Sequence, residues 1–91
     1  MKIENASHLV KHFVIQSISH DVSVKSGDEE SRIYNKGKLE GLELSLAIMD
    51  IEKCAHAALR HIKEVQSENE HNHISLSCMM SIIEGELKVG Q

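Results

Sequence analysis

The sequence predicts an all-α fold in which a long central helix is flanked by two shorter ones, an elongated helical hairpin completed by homodimerisation. Three observations carry that expectation. Apolar or small residues recur in sevens from Tyr34 to Val65, the pattern of a helix lying along another helix. Aromatic residues make up only 2% of the chain, so the core has to be aliphatic, which suits helix packing better than a sandwich or barrel. There is no proline, so nothing kinks a long helix by that route.

The first helix is expected over about 7–20. Leu9, Val10, Phe13, Val14 and Ile18 fall on one helical face, with Lys11 and Gln16 opposite. Asn5 or Ser7 could cap its start. The next stretch is ambiguous, because Ile18, His20, Val22 and Val24 alternate with Ser19, Asp21 and Ser23 at a strand's period. A lone strand would need pairing from a second chain. Residues 18–24 therefore read as helix, or as helix running into an extended segment.

Lys25 to Glu30 forms the first break. Ser26 stands at capping-box spacing before Glu29, and Asp28 and Glu29 would oppose the helix dipole. The long helix is expected from about 27 to 66. One heptad position carries Tyr34, Gly41, Ile48, Ala55 and Ile62; the position three residues later carries Gly37, Leu44, Ile51, Ala58 and Val65. At about 1.5 Å per residue the span from Tyr34 to Val65 is roughly 48 Å. A compact chain of this length has a radius of gyration of only ~12 Å, so the expected molecule is elongated and its seam is the expected dimer contact. Gly37 and Gly41 each cost a helix about 1 kcal/mol relative to Ala. Either the start of the helix is frayed or a neighbouring backbone comes close there. A second stripe, Leu39, Leu42, Leu46 and Met49, stops at Lys53 and gives way to Arg60, Lys63 and Glu64. Past that point the apolar edge narrows to Ala55, Ala57, Ala58 and Ile62, which allows a close helix approach.

Ser67 to His73 is polar throughout and has the length of a turn between antiparallel helices. Asn72 or Ser75 could cap a last helix over about 74–88, whose face carries Leu76, Met79, Met80, Ile83 and Leu87, with Ile82 widening it. Gly85 weakens this helix and Gly90 ends it.

At 91 residues the chain reads as one domain, residues 1–91. A net charge of −4 without clustered Lys and Arg argues against a nucleic-acid binder. No run approaches the ~18 apolar residues of a membrane span, and Met1–Ser7 lacks the order of a signal peptide. The chain reads as cytoplasmic. Its two cysteines, Cys54 and Cys78, then read as reduced, buried structural thiols.

Seven histidines are the compositional oddity. His8 and His12 sit four apart on a helix, a spacing that can chelate a metal, and His71 and His73 could approach them from the turn. That constellation would make a metal-responsive regulator; surface histidines are the plainer reading, and no cofactor is expected. Cys54 and His61 stand too far apart to share an ion. Tyr34 lies near Arg32, Lys36 and Lys38, which could hold a phosphate with a base stacked on the ring. The plainer account is an interfacial tyrosine ending the seam. Glu40, Glu43, Asp50 and Glu52 read as solvated partners for Lys36, Lys38 and Lys53 at helical spacing. No serine or cysteine has the neighbours of a nucleophile, so no enzymatic activity is expected.

Ser45-Leu46-Ala47-Ile48, followed by Ile51-Glu52, resembles part of the helix in phage-encoded hairpin proteins that sequester cyclic-nucleotide signals. The likeness covers that short stretch, and His56-Ala57 stands where those proteins usually continue with a Met-Trp step. It implies, as an alternative, a small-ligand sponge holding an anionic nucleotide between helices. The leading expectation is a non-enzymatic protein-binding or inhibitor module, similar in size and style to phage- and mobile-element-encoded inhibitors of host defence complexes. Its expected partners are a second copy of itself and a protein target.

Overall fold

Four helices make up the chain over residues 3–69 and 73–89, the residues described in a computed structural model. They are α1 (Ile3–Ser26), α2 (Glu29–Ile48), α3 (Glu52–Glu68) and α4 (Leu76–Val89). No strand occurs among the described residues, so the all-α expectation holds. The arrangement is two helical hairpins, α1 with α2 and α3 with α4, brought together by packing of α1 on α4 and α3.

α1 runs beyond its expected end, and the ambiguous residues 18–24 are helical. Serines along this part of α1 are accommodated by back-bonding. Ser17 Oγ donates to the Phe13 carbonyl at 2.9 Å and Ser23 Oγ to the Ser19 carbonyl at 3.0 Å. The alternating valines stay outside, with Val22 and Val24 both exposed. Asn5 and Ser7 lie within the helix rather than capping it, and Ser7 is buried.

The α1–α2 turn is a Schellman closure. Gly27 adopts a φ of 76°, its N–H donates to Val24 O, and the Asp28 N–H donates to Ser23 O. Asp28, not Ser26, then caps α2. Its carboxylate accepts from the Ser31 N–H at 3.1 Å and the Ser31 hydroxyl at 2.8 Å. Ser26 ends α1 instead, its hydroxyl donating to Ser23 O.

The continuous helix expected over 27–66 is broken at Met49–Ile51, and this is the main correction to the sequence reading. The Asp50 N–H donates to Ala47 O and the Ile51 N–H to Leu46 O, a second Schellman closure. Its left-handed residue is Asp50, at φ 57°, where glycine would be usual. Asp is among the few L residues that visit this region, so the turn carries no glycine signal. The longest dimension of the molecule is 39 Å, less than the expected rod, and the radius of gyration is 13.2 Å. With a third dimension of 16 Å, the chain is a slab two helices thick rather than an elongated arm.

All four helices feed one aliphatic core. Val10, Phe13 and Val14 come from α1, Leu46 from α2, Ala55, Ala58 and Ile62 from α3, and Met79, Ile83 and Leu87 from α4. The only phenylalanine, Phe13, is buried in it, with its ring meeting His56 edge-on at 5.1 Å between centroids. At the start of α4, Ser75 Oγ accepts from the Cys78 N–H at 3.1 Å, as its capping role requires, and Asn69 Nδ2 donates to His73 O across the turn. Asn72, the other capping candidate, and Gly90 lie outside the described residues.

Candidate interaction surface

The break between α2 and α3 changes which side of the chain faces inward. On α2 the second stripe is the inner one: Leu46 is fully buried, and Leu39 and Leu42 pack half-buried against the core. On α3 the heptad seam itself turns inward, with Ala55, Ala58 and Ile62 fully buried, Ile51 half-buried against them and Val65 half-buried. The second stripe ends at Lys53 because beyond the turn that side of the helix meets water.

The other half of the seam is therefore outside. Tyr34 is 62% exposed, Leu44 64% and Ile48 75%; Gly37 and Gly41 between them are also exposed, and Ile33 borders the stripe at 60%. The two glycines are well inside α2, so they do not mark a frayed start. Nor does any neighbour in the chain approach them, since a Cβ at either position would meet nothing within 4 Å. The face is a shallow apolar track, narrow at its middle and bulky at both ends. Single exposed apolar residues are ordinary; here Tyr34, Leu44 and Ile48 fall together on one side of one helix.

The basic residues around Tyr34 are divided between the outer face and a groove beside it. Lys38 Nζ lies over the Tyr34 ring, 4.6 Å from its centroid, and so is held on the face as a cation–π partner. Arg32 pairs with Glu29 at 3.5 Å. Arg32 and Lys36 line a groove of about 330 Å³ between α1 and α2, opposite His20 and Val24 and beside Glu40 and Glu43. Its carboxylates offset its cations, which is poor chemistry for an anionic nucleotide.

His8 and His12 are exposed on α1 and His73 is exposed beyond α3; His71 lies outside the described residues. Among the described residues no group of three His, Cys, Asp or Glu side chains is placed to hold a metal ion. Cys54 is half-buried against the core, but Cys78 is exposed, which corrects the expectation of two buried thiols. No helix among the described residues is long and apolar enough to cross a membrane.

Sequence reasoning missed two polar contacts between helices. The first is Asn35, which ties α2 to α1: Gln16 Nε2 donates to its carbonyl at 2.6 Å, and its own amide donates to Ser23 Oγ at 2.8 Å. This network keeps the inner side of α2 against α1 and leaves the seam side out. The second is the ion pair between Lys63 Nζ and Asp21 at 2.9 Å, which bridges α3 and α1 at the surface. No known protein family, curated protein or solved structure matches this chain.

Proposed function

We propose that the protein is a non-enzymatic interaction module that offers the outer face of α2 to another polypeptide, first of all a second copy of itself. The homodimer, or the same face on a single chain, then occupies a protein target, in the manner of small phage- or mobile-element-encoded inhibitors of host complexes. The observation that carries this reading is the exposed stripe of Tyr34, Gly37, Gly41, Leu44 and Ile48 on a helix whose opposite side already satisfies the core. Two-fold association of like helices is the commonest way for such a face to be covered. The exposed glycines would let a facing helix approach near the short end of the usual separation.

Light scattering over a range of concentrations tests the reading. The native chain is expected to exceed its monomer mass of 10.2 kDa and to dissociate on dilution. Ile48→Asp should stay monomeric and fail to retain any target captured from a host extract by the native chain. A native chain that is monomeric even at millimolar concentration, with target capture unaffected by Ile48→Asp, would remove the α2 face from the account.

A further inference from the structure

The α2–α3 turn is assembled from unfavourable parts at three successive residues. Asp50 holds a φ of 57° without being glycine. Ile51 opens α3 with no side-chain cap for the helix N–H groups. Glu52 Oε2 is buried with no hydrogen-bond partner among the described residues. The sequence around the turn does not ask for one. Neither glycine nor proline lies between Leu42 and Glu84, and the seam passes through in unbroken register as Leu44, Ile48, Ile51 and Ala55. Short hinges under strain are the setting in which helical proteins exchange elements.

We infer that the chain has a second, exchanged form, in which α2 and α3 continue as one helix through Asp50 and the α3–α4 hairpin packs on the α1–α2 hairpin of a second copy. The occupant is a second copy because the surface left behind is the one that α3 and α4 already fit. Val10, Phe13, Val14 and Leu46 would meet Ala55, Ala58, Ile62 and Ile83 of the other chain. The core contacts of α3 and α4 with α1 and α2 outside the turn are recovered, the left-handed residue at 50 becomes helical, and the N–H groups opening α3 gain intrahelical acceptors. The end of the exposed stripe nearest the turn, Leu44 and Ile48, would gain cover from the second copy beside the straightened helix, and Tyr34, Gly37 and Gly41 would remain open to a facing helix. This inference rests on self-association through the α2 face and specifies its form.

The test uses the close approach of Lys63 to Asp21, which joins the two hairpins. Light and heavy isotope-labelled chains are unfolded together, refolded at millimolar concentration and separated by size. The dimer is then treated with a carbodiimide, which links an amine to a carboxylate without a spacer. Linked Lys63–Asp21 peptides of mixed isotope are expected in the dimer, and only uniform ones in the monomer. Asp50→Gly eases the turn and disfavours the straight helix, so it should weaken the dimer by about tenfold or more. Asp50→Leu should strengthen it by a similar factor. A dimer whose linked peptides are all uniform in isotope, with an affinity indifferent to residue 50, overturns the exchange but leaves association through the α2 face standing. Absence of any dimer in both the native chain and Asp50→Leu overturns the two together.

Discussion

Ile48 and Ala55 occupy the same position of the heptad, seven residues apart, yet Ile48 is 75% exposed and Ala55 is wholly buried. The turn at Met49–Ile51 separates them and rotates the chain, so that one residue looks outward and the other into the core. In one uninterrupted helix they would face the same way and respond alike to substitution. At dilutions where the native chain is monomeric, Ile48→Asp is expected to leave the circular dichroism unchanged and to move stability by no more than about 0.5 kcal/mol. Ala55→Asp should cost more than about 4 kcal/mol by burying an unpaired carboxylate, enough to unfold most of the population of so small a domain. Urea titrations of the two variants make the comparison, and equal losses would restore the continuous helix.

Gly37→Ala and Gly41→Ala separate folding from association. An added methyl meets open space at both sites, and alanine is better than glycine in a helix by about 1 kcal/mol. Each variant should therefore raise the thermal midpoint of the monomer. If a facing helix lies against the exposed track, the same methyl groups stand in its way and the dimer dissociates more readily. Calorimetry at low concentration and sedimentation at high concentration would read the two effects, which are expected to have opposite signs.

Asp28 sets a pH dependence with a defined sign. Hydrogen bonds from the Ser31 backbone N–H, and then from its hydroxyl, hold the Asp28 carboxyl below its ordinary value of 3.8. A carboxyl depressed in the folded state contributes stability that is fully present above its unfolded value and is lost as pH falls through its folded value. The contribution is therefore intact at neutral pH and disappears in the acid range below about pH 4. Asp28→Asn keeps a good capping side chain but removes the titration. Its stability curve should run flatter than the native curve on the acid limb, as measured by urea midpoints between neutral pH and strong acid.

How much of this was legible beforehand differs from element to element. α4 was plain, because Met79, Ile83 and Leu87 have no competing pattern and Ser75 is a standard cap. The core of α1 was equally plain in Val10, Phe13 and Val14. The break at Asp50 was hidden because its left-handed residue is not glycine and the seam runs through it in register. Its one trace was the end of the second stripe at Lys53, which marks the point where the buried side changes. From the sequence that trace read as a change of neighbours along a single rod. The seam was thus found correctly as apolar, but which half of it the chain would cover for itself depended on a backbone turn that hydrophobic spacing does not encode.

Asn35 supplies the last prediction, because it joins α1 and α2 by polar rather than apolar contact. It receives the Gln16 amide at 2.6 Å and donates to Ser23 Oγ at 2.8 Å and to Ser19 O at 3.4 Å, while Ser23 also bonds back to Ser19 O at 3.0 Å. Asn35→Leu strands the half-buried Gln16 amide and should cost about 1–3 kcal/mol. Adding Gln16→Leu removes the stranded donor and replaces the pair with apolar contact, so the double variant should recover most of that loss. The loss in the double variant is then smaller than the sum of the single losses by at least about 0.5 kcal/mol. A directional bond at this point also fixes how far α2 slides along α1, which leucines facing each other would leave loose. The double variant is accordingly expected to come close to the native urea midpoint while showing faster amide exchange along α2. Additive losses in the two single variants would mean that the Gln16–Asn35 bond contributes nothing to holding the hairpin.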